Sequence, residues 1–203
     1  MVTPSGSPDK PSKVVTGLFF GSFNPVHQGH LILAEYFASL PTMNEVWFVL
    51  SPQNPLKIGD SMLDFETRAE WIETCIQDNP RLKLCRVEKD FPLPSYTFRT
   101  LDHLDKQYPE REFILLLGED QLLNFQKWKD YQEILERWTI WVYPRHFEGK
   151  MPDSVVPHEL VDAPKIEISS TVVRRRLTQG LSVRYLVPDA IWKTCVNHPF
   201  WRG

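Results

Sequence analysis

Residues 17–30 read GLFFGSFNPVHQGH. An apolar run stops at Gly21-Ser22, a turn signal follows at Asn24-Pro25, and two histidines then stand three positions apart with Gly29 between them. The run is the end of VVTGLFF (14–20), which reads as a buried strand, and a helix is expected to begin between His27 and Gly29. A strand that turns sharply into a helix start is the opening unit of a parallel α/β sheet. Ligands of such sheets sit beyond the carboxyl ends of the strands. There Gly21 lets a ligand approach the backbone closely, and the N–H groups of the helix start form an anion site. His27 and His30 fall on one face of the first helical turn, where two imidazoles can donate hydrogen bonds to phosphate oxygens. Two other readings of the pair stay open. It can be an i, i+3 pair of metal ligands, although no carboxylate or cysteine stands nearby as a third. It can also be a pair that only caps and packs.

The rest of the chain repeats the pattern. VWFVL (46–50), LKLC (82–85), FILLLG (113–118) and TIWVY (139–143) are further strand candidates, with helical patterns at 29–39, 64–78, 97–107 and 120–136. Near-continuous apolar strands alternating with helices predict an α/β fold, a Rossmann-like doubly wound parallel sheet. The proline- and charge-rich tract 144–165 reads as a long surface loop, IEI (166–168) as a short strand, and 170–179 and 188–197 as helices of a small helical C-terminal part. Residues 1–12, rich in Pro, Ser and Gly, read as a flexible tail, leaving 13–203 as a single domain.

Composition narrows the function classes. The chain has 203 residues, 42% of them apolar, enough for one sizeable core. No run of 18 apolar residues predicts a membrane span, and the start of the chain lacks the apolar segment of a secretory signal. Three scattered cysteines (Cys75, Cys85, Cys195) form no Cys-x-x-Cys pair, which suits a reducing cytoplasm. A net charge of −3 gives no global basic field for nucleic acid.

A second cluster lies in ISSTVVRRRL (168–177), a strand-to-helix transition. Ser169, Ser170 and Thr171 are all suitable N-caps, and Arg174 lies one turn in, within reach of the helix start. Arg175 and Arg176 fall on other faces and read as solvent-facing.

GSFNPVHQGH resembles the His-x-Gly-His signature of the nucleotidylyltransferase superfamily. SYTFRTL (95–101), LLLGEDQLLNFQKWKDYQEIL (115–135), ISSTVVRRRL and VRYLVPD (183–189) follow in the order found in bacterial nicotinate-nucleotide adenylyltransferases. The resemblance covers about residues 14–197. It implies transfer of adenylate from ATP to nicotinate mononucleotide, giving deamido-NAD and pyrophosphate in NAD biosynthesis.

By the resemblance, His27, His30 and Arg174 are the catalytic residues. Gly21, Ser22, Phe23, Gly29, Lys57, Ser169 and Ser170 join them around ATP, and Thr97, Gly118, Asp120 and Trp128 receive nicotinate mononucleotide. Trp128 would stack on the pyridine ring, although Leu122, Phe125 and Trp128 also read as one helix face of ordinary core. Mg²⁺ is expected to ride on the ATP phosphates, with no protein ligand. The chain departs from the family at three places. Leu56 stands where Pro-Pro-His-Lys has its histidine, Phe20 replaces a glycine, and Pro144-Arg145-His146 replaces Arg-Pro-Gly, which puts in doubt any role carried over to Arg145. The competing readings are a sister nucleotidylyltransferase acting on nicotinamide mononucleotide or phosphopantetheine, and a nucleotide-binding module without turnover.

Overall fold

A computed structural model describes residues 13–52, 62–145 and 158–202. The expected tail (1–12), Lys57 and Leu56, and His146 lie outside the described residues.

The near-continuous apolar runs become strands because most residues along them find cover on both faces. β1 (Val14–Gly21) leads into α1 (Gln28–Ser39), β2 (Glu45–Leu50), α2 (Phe65–Ile76) and β3 (Leu82–Cys85). A 3₁₀ turn (Val87–Asp90) and α3 (Thr97–Gln107) then lead to β4 (Arg111–Gly118). The short α4 (Glu119–Leu122), a second 3₁₀ turn (Phe125–Lys127) and α5 (Tyr131–Arg137) precede β5 (Thr139–Tyr143) and the two-residue β6 (Glu159–Leu160). The chain closes with α6 (Ser170–Thr178), α7 (Asp189–Asn197) and a terminal 3₁₀ turn (Pro199–Arg202).

The strands form one sheet in the order β3-β2-β1-β4-β5-β6, and every pairing is parallel. This is the doubly wound arrangement the alternation predicts. Side chains alternate between two cores, as the pleat requires. Phe48, Leu116 and Tyr143 meet Phe37 of α1 and Trp71 of α2 on one face. Trp47, Leu115 and Val142 meet Leu101 of α3 and Ile134 of α5 on the other. The first crossovers run to one side of β1 and the later ones to the other, so the strand order reverses between β1 and β4. A crevice opens there beyond the carboxyl ends of both strands.

Two local expectations are corrected. The helix expected over 120–136 is three pieces, because Asp130 adopts a left-handed conformation (φ 57°) and Trp128 an extended one (ψ 142°). Trp128 is thereby turned against Phe125, with ring centroids 5.1 Å apart. Nor does IEI (166–168) form a strand. β6, inside the tract read as a loop, takes the place beside β5, pairing Glu159 with Trp141 and Leu160 with Val142. Ile166 instead crosses the start of α1.

Candidate active site

The chain leaving β1 reaches α1 through a turn at Asn24-Pro25, and His27 becomes the N-cap of α1. Its backbone N–H donates to Nδ1 of His30 at 3.2 Å. That bond puts the proton of a neutral His30 ring on Nε2. The two imidazoles stack with centroids 3.5 Å apart and planes 18° off parallel. His27 is 2% exposed, and both its ring nitrogens are buried without a hydrogen-bond partner among the described residues. Burial, aided by the nearby Arg145 charge, lowers its pKa to about 3, so the ring is neutral at physiological pH. Gly29 is required by close approach. A Cβ there would stand 2.8 Å from Cγ2 of Ile166 and 3.1 Å from Nδ1 of His27.

A small cleft opens over this turn, lined by His27, Gly29, His30, Tyr143, Arg145 and Ile166, among others. Arg145, just past β5, supplies its guanidinium. Its backbone N–H donates to Oε2 of Glu119 at 2.9 Å, and its Nη1 lies 3.9 Å from Oδ2 of Asp120. Gly118 makes room for this group, since a Cβ there would meet Oδ1 of Asp120 at 2.5 Å. The buried Tyr143 hydroxyl stays protonated, its pKa raised by burial to about 12.

Ser169 caps α6 through its side chain, accepting from the Val172 N–H at 3.3 Å. The helix start docks on the turn before His27. Ser170 Oγ donates to the Pro25 carbonyl at 2.9 Å, and Arg174 Nη1 donates to the Asn24 carbonyl at 2.9 Å. Arg174 thus ties the two motifs together, while Arg145 is the arginine that lines the cleft beside the histidines. Arg175 is exposed as expected. Arg176 is partly covered, its Nε donating to the Ser182 carbonyl at 2.8 Å.

A third arginine braces the same loops. Arg68 of α2 is 2% exposed and has carbonyls as its acceptors: Leu63 at 2.9 Å, Ser22 at 2.7 Å, Ser51 at 2.8 Å and Pro52 at 3.3 Å. It joins the loop after β1 to the loop after β2. The motifs do not point to Arg68. The available signal is its place on the apolar face of α2, with Ala69, Trp71 and Ile72.

Of the residues expected around the acceptor, Gly118 and Asp120 stand beside Arg145 at the end of β4, while Thr97 begins α3 and Trp128 packs against the core on the other face of the sheet. Thr97 is the first residue of α3, and its N-cap, Tyr96, makes no side-chain cap bond. The N–H groups of Thr97 and Phe98 therefore have no acceptor within the helix, as at any helix start. Lys129, next to half-buried Trp128, sits 4.9 Å from the centroid of the Tyr96 ring. The Gly118 N–H donates to Oε1 of Gln121 at 3.1 Å.

Residues 18–176 match a family model described as cytidylyltransferase-like. Two proteins named "Probable nicotinate-nucleotide adenylyltransferase" are similar over most of their length. That of Flavobacterium johnsoniae is 37% identical over 189 residues, covering 92% of this chain and 98% of the relative. That of Porphyromonas gingivalis is 42% identical over 178 residues, covering 86% and 90%. Among solved structures, a Plasmodium falciparum nicotinic acid mononucleotide adenylyltransferase complexed with NaAD superposes with a TM-score of 0.79 at 18% identity, covering 93% of this chain and 97% of that one. At that identity the likeness is one of fold.

Proposed function

This chain belongs to the nicotinate-nucleotide adenylyltransferase family, and we infer that its cleft joins ATP and nicotinate mononucleotide to give deamido-NAD and pyrophosphate. The observation that carries the reading is the stacked His27–His30 pair on the first turn of α1, beside the crevice where the strand order reverses. A polyphosphate suits that place, since imidazole N–H groups, the Gly29 N–H of the first turn of α1 and the Arg145 guanidinium gather there.

The 5′-phosphate of the mononucleotide attacks the α-phosphorus of ATP in line, and pyrophosphate departs. The nucleophile is an anion at neutral pH, so no side chain has to deprotonate it. Catalysis is then positioning and charge stabilisation. His30 carries its proton on Nε2 and donates to the α-phosphate as charge builds. His27 stays neutral, holds the His30 ring flat against its own, and offers a second donor. Arg145 neutralises phosphate charge inside the cleft, Arg174 acts from its margin, and Lys57, outside the described residues, is assigned a phosphate contact by the resemblance alone. Gly21, Ser22 and Phe23 shape the loop, and Ser169 and Ser170 present the start of α6 to the nucleotide. Among the described residues no group of three or more His, Cys, Asp or Glu side chains offers a metal cage. Mg²⁺ carried by the ATP phosphates would neutralise part of their charge.

On the acceptor side, Trp128 stacks on the pyridine ring, and Thr97 with the N–H groups at the start of α3 holds its carboxylate. Asp120, whose Oδ1 is buried without a hydrogen-bond partner among the described residues, accepts from ribose hydroxyls beside Gly118. We place the reaction in the cytoplasm, which suits three free cysteines, and take 13–203 as one catalytic domain.

The test is release of pyrophosphate with ATP and a panel of acceptors: nicotinate mononucleotide, nicotinamide mononucleotide and phosphopantetheine. The specificity constant should be highest for the acid mononucleotide. Preference for another acceptor would reassign the substrate, and no turnover with any of them would leave a binding module.

A further inference from the structure

The reaction as described makes no use of Glu88, although it is the most completely buried acid in the neighbourhood of the acceptor residues. Glu88 lies in the 3₁₀ turn after β3 and is 2% exposed. Its acceptors are all met by hydroxyls. Oε2 accepts from Ser95 Oγ at 2.8 Å and Oε1 from Thr100 Oγ1 at 2.7 Å. The Ser51 hydroxyl bonds to the same carboxylate. Burial holds the Glu88 carboxyl above the usual carboxylate range, and the bonds from Thr100, Ser95 and Ser51 offset only part of that rise.

The placement of these partners matters more than their number. Ser95 lies two residues before Thr97 and Thr100 three residues after it. One rigid carboxylate thus grips the chain on both sides of the start of α3. Ser95 and Thr100 are themselves buried, at 5% and 0% exposure, so neither bond has water as a substitute. Thr97, between them, remains half-exposed. On the nucleotide side the Ser51 backbone has its own anchors, its carbonyl accepting from Arg68 and its N–H donating to the Gly21 carbonyl at 2.9 Å, so that side does not depend on Glu88.

We propose that Glu88 is a positioning residue for acceptor recognition: through Ser95 and Thr100 it sets the backbone and side chain of Thr97, and so the preference for the acid over the amide mononucleotide. The proposal rests on the assignment of Thr97 to the pyridine carboxylate. An apolar residue at 88 fills the same space yet leaves two buried hydroxyls without their acceptor. Glutamine keeps the shape but replaces one acceptor oxygen with a donor.

The experiment compares the parent, Glu88→Gln and Ser95→Ala in steady-state assays with ATP and each mononucleotide, alongside melting temperatures. Ser95→Ala removes one arm only and keeps the proposal testable if Glu88→Gln does not fold. In either folded variant we expect KM for nicotinate mononucleotide to rise about tenfold, with the acid-over-amide ratio of kcat/KM falling by a similar factor. KM for ATP should stay within about twofold of the parent. Thr97→Val added to Glu88→Gln should lower the ratio by less than it does alone, since both act on one contact. A folded variant with an unchanged ratio, or with equal rises in KM for ATP and for the mononucleotide, overturns the proposal. Trp128→Ala, assayed in parallel, separates the two failures. If it raises KM for the mononucleotide while the Glu88 and Ser95 variants leave the ratio intact, the pocket stands and the positioning role falls. A parent without acid preference overturns both.

Discussion

His27 is an ionisable group held neutral by its surroundings, and that has a cost at low pH. Its pKa is about 3 in the folded chain, against an ordinary value of 6.5. Below pH 6.5 the unfolded chain takes up a proton at this residue that the folded chain refuses. Stability present above that pH is therefore lost as pH falls toward 3. With these two pKa values, the unfolded state gains about 0.2 kcal/mol from this residue at pH 7 and about 2 kcal/mol at pH 5. The difference, a little under 2 kcal/mol, is a sizeable share of the roughly 5–15 kcal/mol that holds a domain together. Urea unfolding of the parent and of His27→Gln at pH 7 and pH 5, followed by the fluorescence of the seven tryptophans, measures it. His27→Gln is expected to be less stable at pH 7, where it loses the ring stacked on His30. The quantity that matters is the drop within each protein. The parent should lose about 2 kcal/mol more than the variant between the two pH values. Other titrating groups, including Glu88, whose raised pKa acts in the opposite direction, are common to both proteins and cancel. Equal drops would show that His27 is not a buried neutral ring, and the neutral-donor account of it would fail.

Three further outcomes follow from the same geometry. His30→Ala should keep the melting temperature yet lower turnover by about 10²–10³, the usual cost of losing one transition-state donor; near-parent turnover in the folded variant would remove His30 from the chemistry. Trp128→Ala should raise KM for nicotinate mononucleotide by about 5- to 150-fold, the value of one stacked ring, and leave KM for ATP intact; equal rises for both substrates would misplace the pyridine pocket. Arg68→Met removes bonds to four carbonyls, each worth about 1.5–3 kcal/mol, against the burial cost of a guanidinium that methionine does not carry, for a net loss of about 2–4 kcal/mol in urea unfolding. A loss below about 1 kcal/mol would mean that the loops after β1 and β2 hold their shape without the brace.

Five of the six strands were legible because the signal for a buried strand is local: a short apolar run bounded by turn residues. The sixth was not, since Glu159–Leu160 carries no strand pattern and exists only because the edge of β5 offers partners. Ile166 and Ile168 carry the better pattern, yet their side chains are taken by the cleft over α1. The periodicity over 120–136 had the same weakness. Leu122 and Phe125 are buried as a helix face would be, but a left-handed Asp130 and the packing of Trp128 on Phe125 break the helix between them. His27, Gly29 and His30 were readable as a unit because one helical turn brings i and i+3 together wherever that turn is placed. Arg68, Arg145 and Glu88 were not readable in that way. Arg68 meets Ser22 across 46 residues and Ser51 across 17, while Glu88 reaches Thr100 across 12. A buried charge takes its partners from whatever segments the sheet order brings beside it, and those carbonyls and hydroxyls repeat with no period along the chain. Local spacing therefore determined the turn that carries the histidine pair, and only the folded sheet decided which charges brace it.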